Sequence, residues 1–109
     1  MHELSITQSV VDAVCEHALG RPVRSVRIEV GRISGVVVES MEFCFELVAA
    51  GTPVEGARLE FDQPEGRAHC RGCGSDFTVD DLILLCSCGS ADVQITAGRE
   101  LRIMSMEVG

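Results

Sequence analysis

Between residues 3 and 18 the apolar side chains Ile6, Val10, Val11, Val14, Cys15 and Ala18 recur at three- and four-residue steps, while Glu3, Gln8, Asp12, Glu16 and His17 fall largely on the other side. That period predicts a long amphipathic helix. Gly20 and Pro22 end it, a left-handed cap residue followed by one that cannot continue the helix. From Arg24 to Val30 the period falls to two, with Val26, Ile28 and Val30 set against Ser25, Arg27 and Glu29, as in a half-buried strand. Gly31 to Gly35 reads as a connection. Beyond it Met41, Cys44, Phe45, Val48 and Ala49 return to helical spacing and predict a second helix from about Glu39 to Ala50, closed by Gly51. Cys15 and Cys44 lie on these apolar stripes and read as packing residues, and His17 as an exposed residue near a helix C-terminus, where the dipole tolerates its charge.

Ala57, Leu59 and Phe61 alternate with Arg58, Glu60 and Asp62, giving a second strand. Pro64, Glu65 and Gly66 break that pattern, and Ala97 and Gly98 form another break after a short strand containing Val93 and Ile95. Leu101 to Val108 is again strand-compatible. The segment between the two breaks therefore reads as an insert between two strands of one core. The expected fold is α+β, with two helices packed on a small three-stranded sheet and an inserted zinc-ribbon-like four-cysteine domain. Residues 1–63 and 98–109 would form the larger, discontinuous domain, and residues 64–97 the insert.

The insert carries the strongest chemical signal. Cys70 and Cys73 are followed by Cys86 and Cys88, four thiols in two clusters, which is the count and grouping that a tetrahedral zinc ion with four thiolate ligands requires. Gly72 and Gly74 let the first pair curl around one centre. The second pair has only Ser87 between its cysteines, a tighter chelate than usual, and His69 beside Cys70 offers an alternative fourth ligand. Iron in a thiolate cage competes with zinc for such a site. Asp76, Asp80 and Asp81 seek solvent, and Phe77, Val79, Leu82, Ile83, Leu84 and Leu85 read as too few for a separate core. Metal binding would then supply folding free energy on the order of 10 kcal/mol.

Composition narrows the function. The net charge is −8, and all nine positive residues are Arg. An acidic surface argues against nucleic acid, and the absence of Lys excludes a Walker-type phosphate loop and a lysine Schiff base. No Gly-x-Ser-x-Gly elbow is present. The apolar runs are too short to span a bilayer, and no charged start followed by an apolar run marks a signal peptide, so the expected compartment is the reducing cytoplasm, where disulfides are disfavoured.

The opening Met1, His2 and Glu3 form a second candidate site. A terminal amine, the amide of residue 2 and the imidazole of His2 can make fused chelate rings around one cation, with Glu3 supplying a further donor. Nitrogen-rich tetragonal geometry favours Ni(II) or Cu(II), whereas sulfur-rich tetrahedral geometry favours zinc. On these residues alone, His2 reads as an exposed side chain.

The opening Met-His-Glu-Leu-Ser-Ile-Thr-Gln-Ser-Val-Val-Asp-Ala-Val, the Val-Arg-Ile-Glu-Val-Gly-Arg-Ile-Ser-Gly at 26–35, the Glu-Ser-Met-Glu-Phe-Cys-Phe-Glu at 39–46, and the cysteine insert followed by Met-Ser-Met-Glu-Val together resemble the HypA/HybF hydrogenase nickel-incorporation proteins. The resemblance covers essentially the whole chain. It implies a non-enzymatic nickel metallochaperone with an N-terminal nickel-binding domain and a zinc-binding domain. Nickel would sit on His2 with the adjacent terminus of Met1 and with Glu3, and zinc on Cys70, Cys73, Cys86 and Cys88. The implied partners are a HypB-type GTPase and the large subunit of nickel-iron hydrogenase, with urease maturation proteins in some members. The chain departs from the family's pattern in its shortened Cys86/Cys88 pair, in Val38 where Pro is frequent, and in Met41 where Leu is frequent. Two rivals stand beside this reading: a zinc-ribbon interaction module with no transported metal, and a thiol redox protein using Cys70 and Cys73.

Overall fold

The computed structural model describes residues 2–80 and 83–109. The roles expected of Met1 in a terminal chelate, and of Asp81 and Leu82 in the cysteine loop, therefore fall outside the described residues. Along the chain run α1 (His2–Ala18), β1 (Val23–Val30), α2 (Val38–Ala49), β2 (Arg58–Asp62), β3 (Gly66–Cys70), β4 (Asp76–Val79), β5 (Val93–Ala97) and β6 (Leu101–Val108). Both helices and the strands at 23–30, 58–62 and 101–108 lie within a residue or so of the limits read from hydrophobic period. The strands form two three-stranded sheets, ordered β2-β1-β6 and β4-β3-β5. The α+β class expected from the sequence is what the molecule adopts, and the chain divides into two compact units.

The first unit comprises the described residues of Met1–Ile28 together with Val37–Phe61 and Arg102–Gly109. Its core is built on β1, the central strand, whose Val26 and Ile28 are fully buried with Met41 of α2 and with Val54. Helix α1 buries Glu3, Thr7, Val10, Val11, Val14 and Ala18, residues that share one face at 3.6 residues per turn. Glu3 therefore lies on the buried side, contrary to its expected place on the polar face, and Cys15 is half-buried rather than in the core. The stripe extends through two polar positions because Thr7 satisfies its hydroxyl locally, donating to the Glu3 carbonyl at 2.5 Å. Helix α2 packs against α1 and buries Met41, Cys44, Phe45 and Ala49. Gly51, with φ +78°, turns the chain just beyond its C-cap, Ala50.

The second unit comprises Glu29–Val36 and Asp62–Leu101. Its strands are antiparallel, with His69 opposite Asp76 across β3 and β4 and Cys70 opposite Val93 across β3 and β5. Neither β3 nor β4 was legible as a strand, because each is short and β3 starts on the Gly66 that reads as a breaker. The unit has a small core of its own, which corrects the expectation that the insert holds too few apolar residues for one. Ile33, Ala68 and Val79 are buried together, with Phe77, Leu84 and Ile95 packed against them. The missing contributor is Ile33, delivered from the Gly31–Gly35 connection by hydrogen bonds that the Gly31 amide donates to the Glu100 carbonyl at 2.8 Å and the Ile33 amide to the Gly98 carbonyl at 2.9 Å. The backbones meet too closely there for side chains. A Cβ on Gly31 would lie 2.0 Å from the Gly98 oxygen, and one on Gly98, whose φ is +106°, would lie 2.5 Å from the Gly66 Cα. Among the described residues, no helix is long and apolar enough to cross a membrane.

Candidate metal sites

The four cysteines predicted from spacing converge. Cys70 ends β3, and the chain turns through Arg71 and Gly72 to Cys73. The Cys70 amide donates to the Ser75 carbonyl, and the Gly74 amide returns to the Cys70 carbonyl, both at 2.8 Å. The second turn repeats this pattern with one residue fewer. There the Cys86 amide donates to the Ser90 carbonyl at 3.0 Å, and the Gly89 amide returns to the Cys86 carbonyl at 2.9 Å. Gly89 adopts φ +94°, which closes the shorter loop at no steric cost. The single residue between Cys86 and Cys88 thus contracts the turn without removing a sulfur from the group.

The four Sγ atoms lie within 4.8 Å of one another. Cys70 and Cys88 Sγ are 3.8 Å apart, and Cys73 and Cys86 Sγ 3.6 Å. A tetrahedron with metal–sulfur bonds of about 2.3 Å has sulfur–sulfur edges of about 3.8 Å, so the cage has the dimensions of a four-thiolate metal site. None of the four cysteines is in a disulfide, and Cys70 and Cys86 are buried while Cys73 and Cys88 are exposed. His69, the alternative ligand, is engaged elsewhere: its Nδ1 lies 2.8 Å from Asp76 Oδ1, its cross-strand neighbour. Arg71 ties the first turn to the chain beyond the second, through its amide to the Asp92 carbonyl at 2.9 Å and its Nη1 to Asp92 Oδ1 at 3.0 Å.

The electrostatics of the metal-free cage are uneven. Hydrogen bonds from the Ser75 hydroxyl and amide, then the neighbouring Cys86 and Cys70 thiols, pull Cys73 down to about 6. The Cys73 amide does the same in kind for Cys70, whose Sγ it approaches at 3.4 Å. For Cys88 the Ser90 amide pulls downward, but the crowding Cys86 and Cys70 thiols outweigh it and push the group up to about 11. Four like groups at this spacing divide their protons unequally, and a bound dication would hold all of them as thiolates. Ser75 and Ser90 are the site residues that spacing arguments passed over. Each ends the same tripeptide, Cys-Gly-Ser, and that repetition at 73–75 and 88–90 was the available signal.

At the other predicted site, His2 and Glu3 begin α1. The His2 side chain is 58% exposed and that of Glu3 10%, and His2 Nε2 lies 3.3 Å from Glu3 Oε2. The same Glu3 oxygen accepts from the Val37 amide at 3.5 Å. Glu3's own amide hydrogen bond, opposed by burial and assisted by the Val37 amide and by His2, holds its carboxyl below the usual carboxylate range.

Comparison with known proteins decides the family. The family model described as "Hydrogenase/urease nickel incorporation, metallochaperone, hypA" matches residues 1–108. The chain belongs to the HypA family. It is 47% identical over 109 residues to the hydrogenase maturation factor HypA of Geobacter sulfurreducens, with 99% of each chain covered, and 45% identical over 112 residues to that of Chlorobaculum tepidum, again with 99% of each covered. The solution structure of the Ni metallochaperone HypA from Helicobacter pylori matches with a TM-score of 0.67 at 28% identity, over 99% of this chain and 97% of that one. A second solution structure of a HypA protein matches with a TM-score of 0.69 at 29% identity, over 99% and 96%. The resemblance read from the opening segment and the cysteine insert is therefore borne out. HypA membership places the chain among nickel-incorporation metallochaperones of hydrogenase maturation, with a cysteine cluster fit for a metal.

Proposed function

We propose that the chain carries Ni(II) as cargo at its start, on the imidazole of His2 with the terminus of Met1 and with Glu3, and holds Zn(II) structurally on Cys70, Cys73, Cys86 and Cys88. It delivers nickel, together with a HypB-type GTPase, to the large subunit of nickel-iron hydrogenase, and in cells with urease to that enzyme's maturation proteins. It performs no turnover and works in the cytoplasm. Nickel binding belongs to the unit that holds α1 and α2, and zinc binding to the unit that holds β3, β4 and β5.

The observation that carries this reading is the pairing of an exposed His2 with the Glu3 carboxylate 3.3 Å away at the first turn of α1. A nitrogen donor and an oxygen donor on adjacent residues, beside helix-start amides, form a shallow chelate from which a recipient can extract a metal. The positive end of the helix dipole opposes a bound cation by about 0.3–1 kcal/mol, and the Glu3 carboxylate offsets it. Protons compete with nickel for the imidazole nitrogen, so binding weakens on acidification. The sulfur cage has the opposite character: soft, four-coordinate and closed, as a structural zinc site is.

Isothermal titration of nickel into the wild type and a His2→Ala variant, each with an unblocked terminus, tests the cargo site. Saturable binding that the substitution abolishes supports it. Unchanged affinity in His2→Ala would remove the terminal site, and absence of saturable binding in both would leave the interaction-module reading.

A further inference from the structure

Helix α2 has two apolar faces where one neighbour would require only one. Met41, Phe45 and Ala49 are buried, yet Phe43 is 67% exposed and Leu47 63%. On α1, Leu4 is 48% exposed beside them. These side chains line an open groove of about 490 Å³ together with Glu39, Ser40 and Cys44. A Phe and two Leu clustered on one open surface mark a recognition site, whereas scattered exposed apolar residues need no explanation. Phe43 and Leu47 also lie four residues apart, one turn along the helix, as anchors for a partner side chain would.

The charge around the groove selects the partner. Glu39, Glu42 and Glu46 are exposed, and α2 contains no basic residue. A second copy docked face to face would set these three carboxylates against three more, so self-association is disfavoured, and nucleic acid is repelled for the same reason. We infer that this groove binds a cationic amphipathic helix of a partner protein, whose apolar ridge packs on Leu4, Phe43 and Leu47 while flanking Arg or Lys residues meet Glu39, Glu42 and Glu46. This is helix-in-groove recognition, with electrostatic complementarity fixing register and speeding encounter. Leu4 is two residues from His2, so the docked helix approaches the start of α1. The inference does not rest on nickel binding.

The test uses the full chain without added nickel and two designed helical peptides with the same Leu ridge, one flanked by Lys and one by Glu. Fluorescence anisotropy should show saturable, salt-sensitive binding of the Lys peptide, with binding of the Glu peptide at least about tenfold weaker. Amide shifts in an NMR titration should concentrate at Leu4 and residues 39–47. A Phe43→Ser/Leu47→Ser variant keeps every charge and removes only exposed side chains, so it should fold as the wild type does and lose at least about tenfold in affinity. A Glu42→Gln/Glu46→Gln variant, with the apolar contacts intact, should bind the Lys peptide with a weaker salt dependence. Equal binding of both peptides, or undiminished binding by the serine variant, would overturn the proposal by reducing it to nonspecific attraction to an acidic protein. Sedimentation of the wild type as a dimer that the serine variant abolishes would overturn it in favour of a second copy.

Discussion

Glu3 joins two elements of the first unit. Val37 is the N-cap residue of α2 and makes no side-chain capping bond, and its amide is taken up instead by the Glu3 carboxylate reaching across from α1. A carboxylate at that position also complements the positive end of α2. Because the folded-state pKa of Glu3 is lowered below its ordinary 4.5, the folded chain binds fewer protons than the unfolded one in the window beneath that value. The stability it contributes is thus present above about 4.5 and is lost as pH falls through the folded value. The nickel-free Glu3→Gln variant should melt below the wild type at neutral pH, and the gap should close on acidification below about 4.5. Thermal denaturation across that range checks it, and a gap constant with pH would count against a stabilising role for the ionised carboxylate, which its own amide and that of Val37 hold. Nothing in the sequence announced this role, since a Glu in a first helical turn is ordinarily a solvated residue. The cysteines were legible at the same scale because their chemistry demands a particular residue type in clusters, whatever the surrounding fold.

At the scale of elements, helices and long strands declared themselves through period, whereas β3 and β4 did not. Five residues beginning on a glycine, and four rich in polar side chains, carry too little alternation to register. Ile33 was hidden differently, for it stands in a glycine-bounded connection that only the folded chain brings to Ala68 and Val79. Replacing Ile33 by Ala should cost about 2–4 kcal/mol, and Gly98→Ala at least about 1–2 kcal/mol from its positive φ alone, with the overlap against Gly66 adding to it. Denaturant unfolding of the zinc-loaded variants would measure both losses, and faster zinc transfer to a competing chelator should accompany them. A neutral Ile33→Ala would mean that metal alone organises this unit.

Taken whole, the molecule has two compact units, each with its own buried core, one bearing the four-cysteine cluster and the other the proposed nickel site. Stripping the thiolate cage with a strong chelator should abolish hydrogen-exchange protection across β3, β4 and β5 while α1, α2 and β1 keep theirs, and uniform loss of protection would contradict that independence. The exposed face of α2 shows the limit of sequence reading at this scale. Hydrophobic period identified Met41, Phe45 and Ala49 as one side of a helix, but could not say that Phe43 and Leu47 would be left open. Family membership, by contrast, was readable from the opening segment, residues 26–35 and 39–46, and the cysteine insert, because a resemblance rests on residue identities and not on period. In the proposed function the chain sorts two metals by donor chemistry, nitrogen and oxygen at its start and sulfur in its insert. Equilibrating the wild type and His2→Ala with excess nickel and zinc together, followed by gel filtration and elemental analysis, tests it most directly. One nickel and one zinc per wild-type chain, with zinc alone in the variant, are the expected result; nickel retained undiminished by His2→Ala, or nickel displacing zinc from the cysteines, would refute metal sorting.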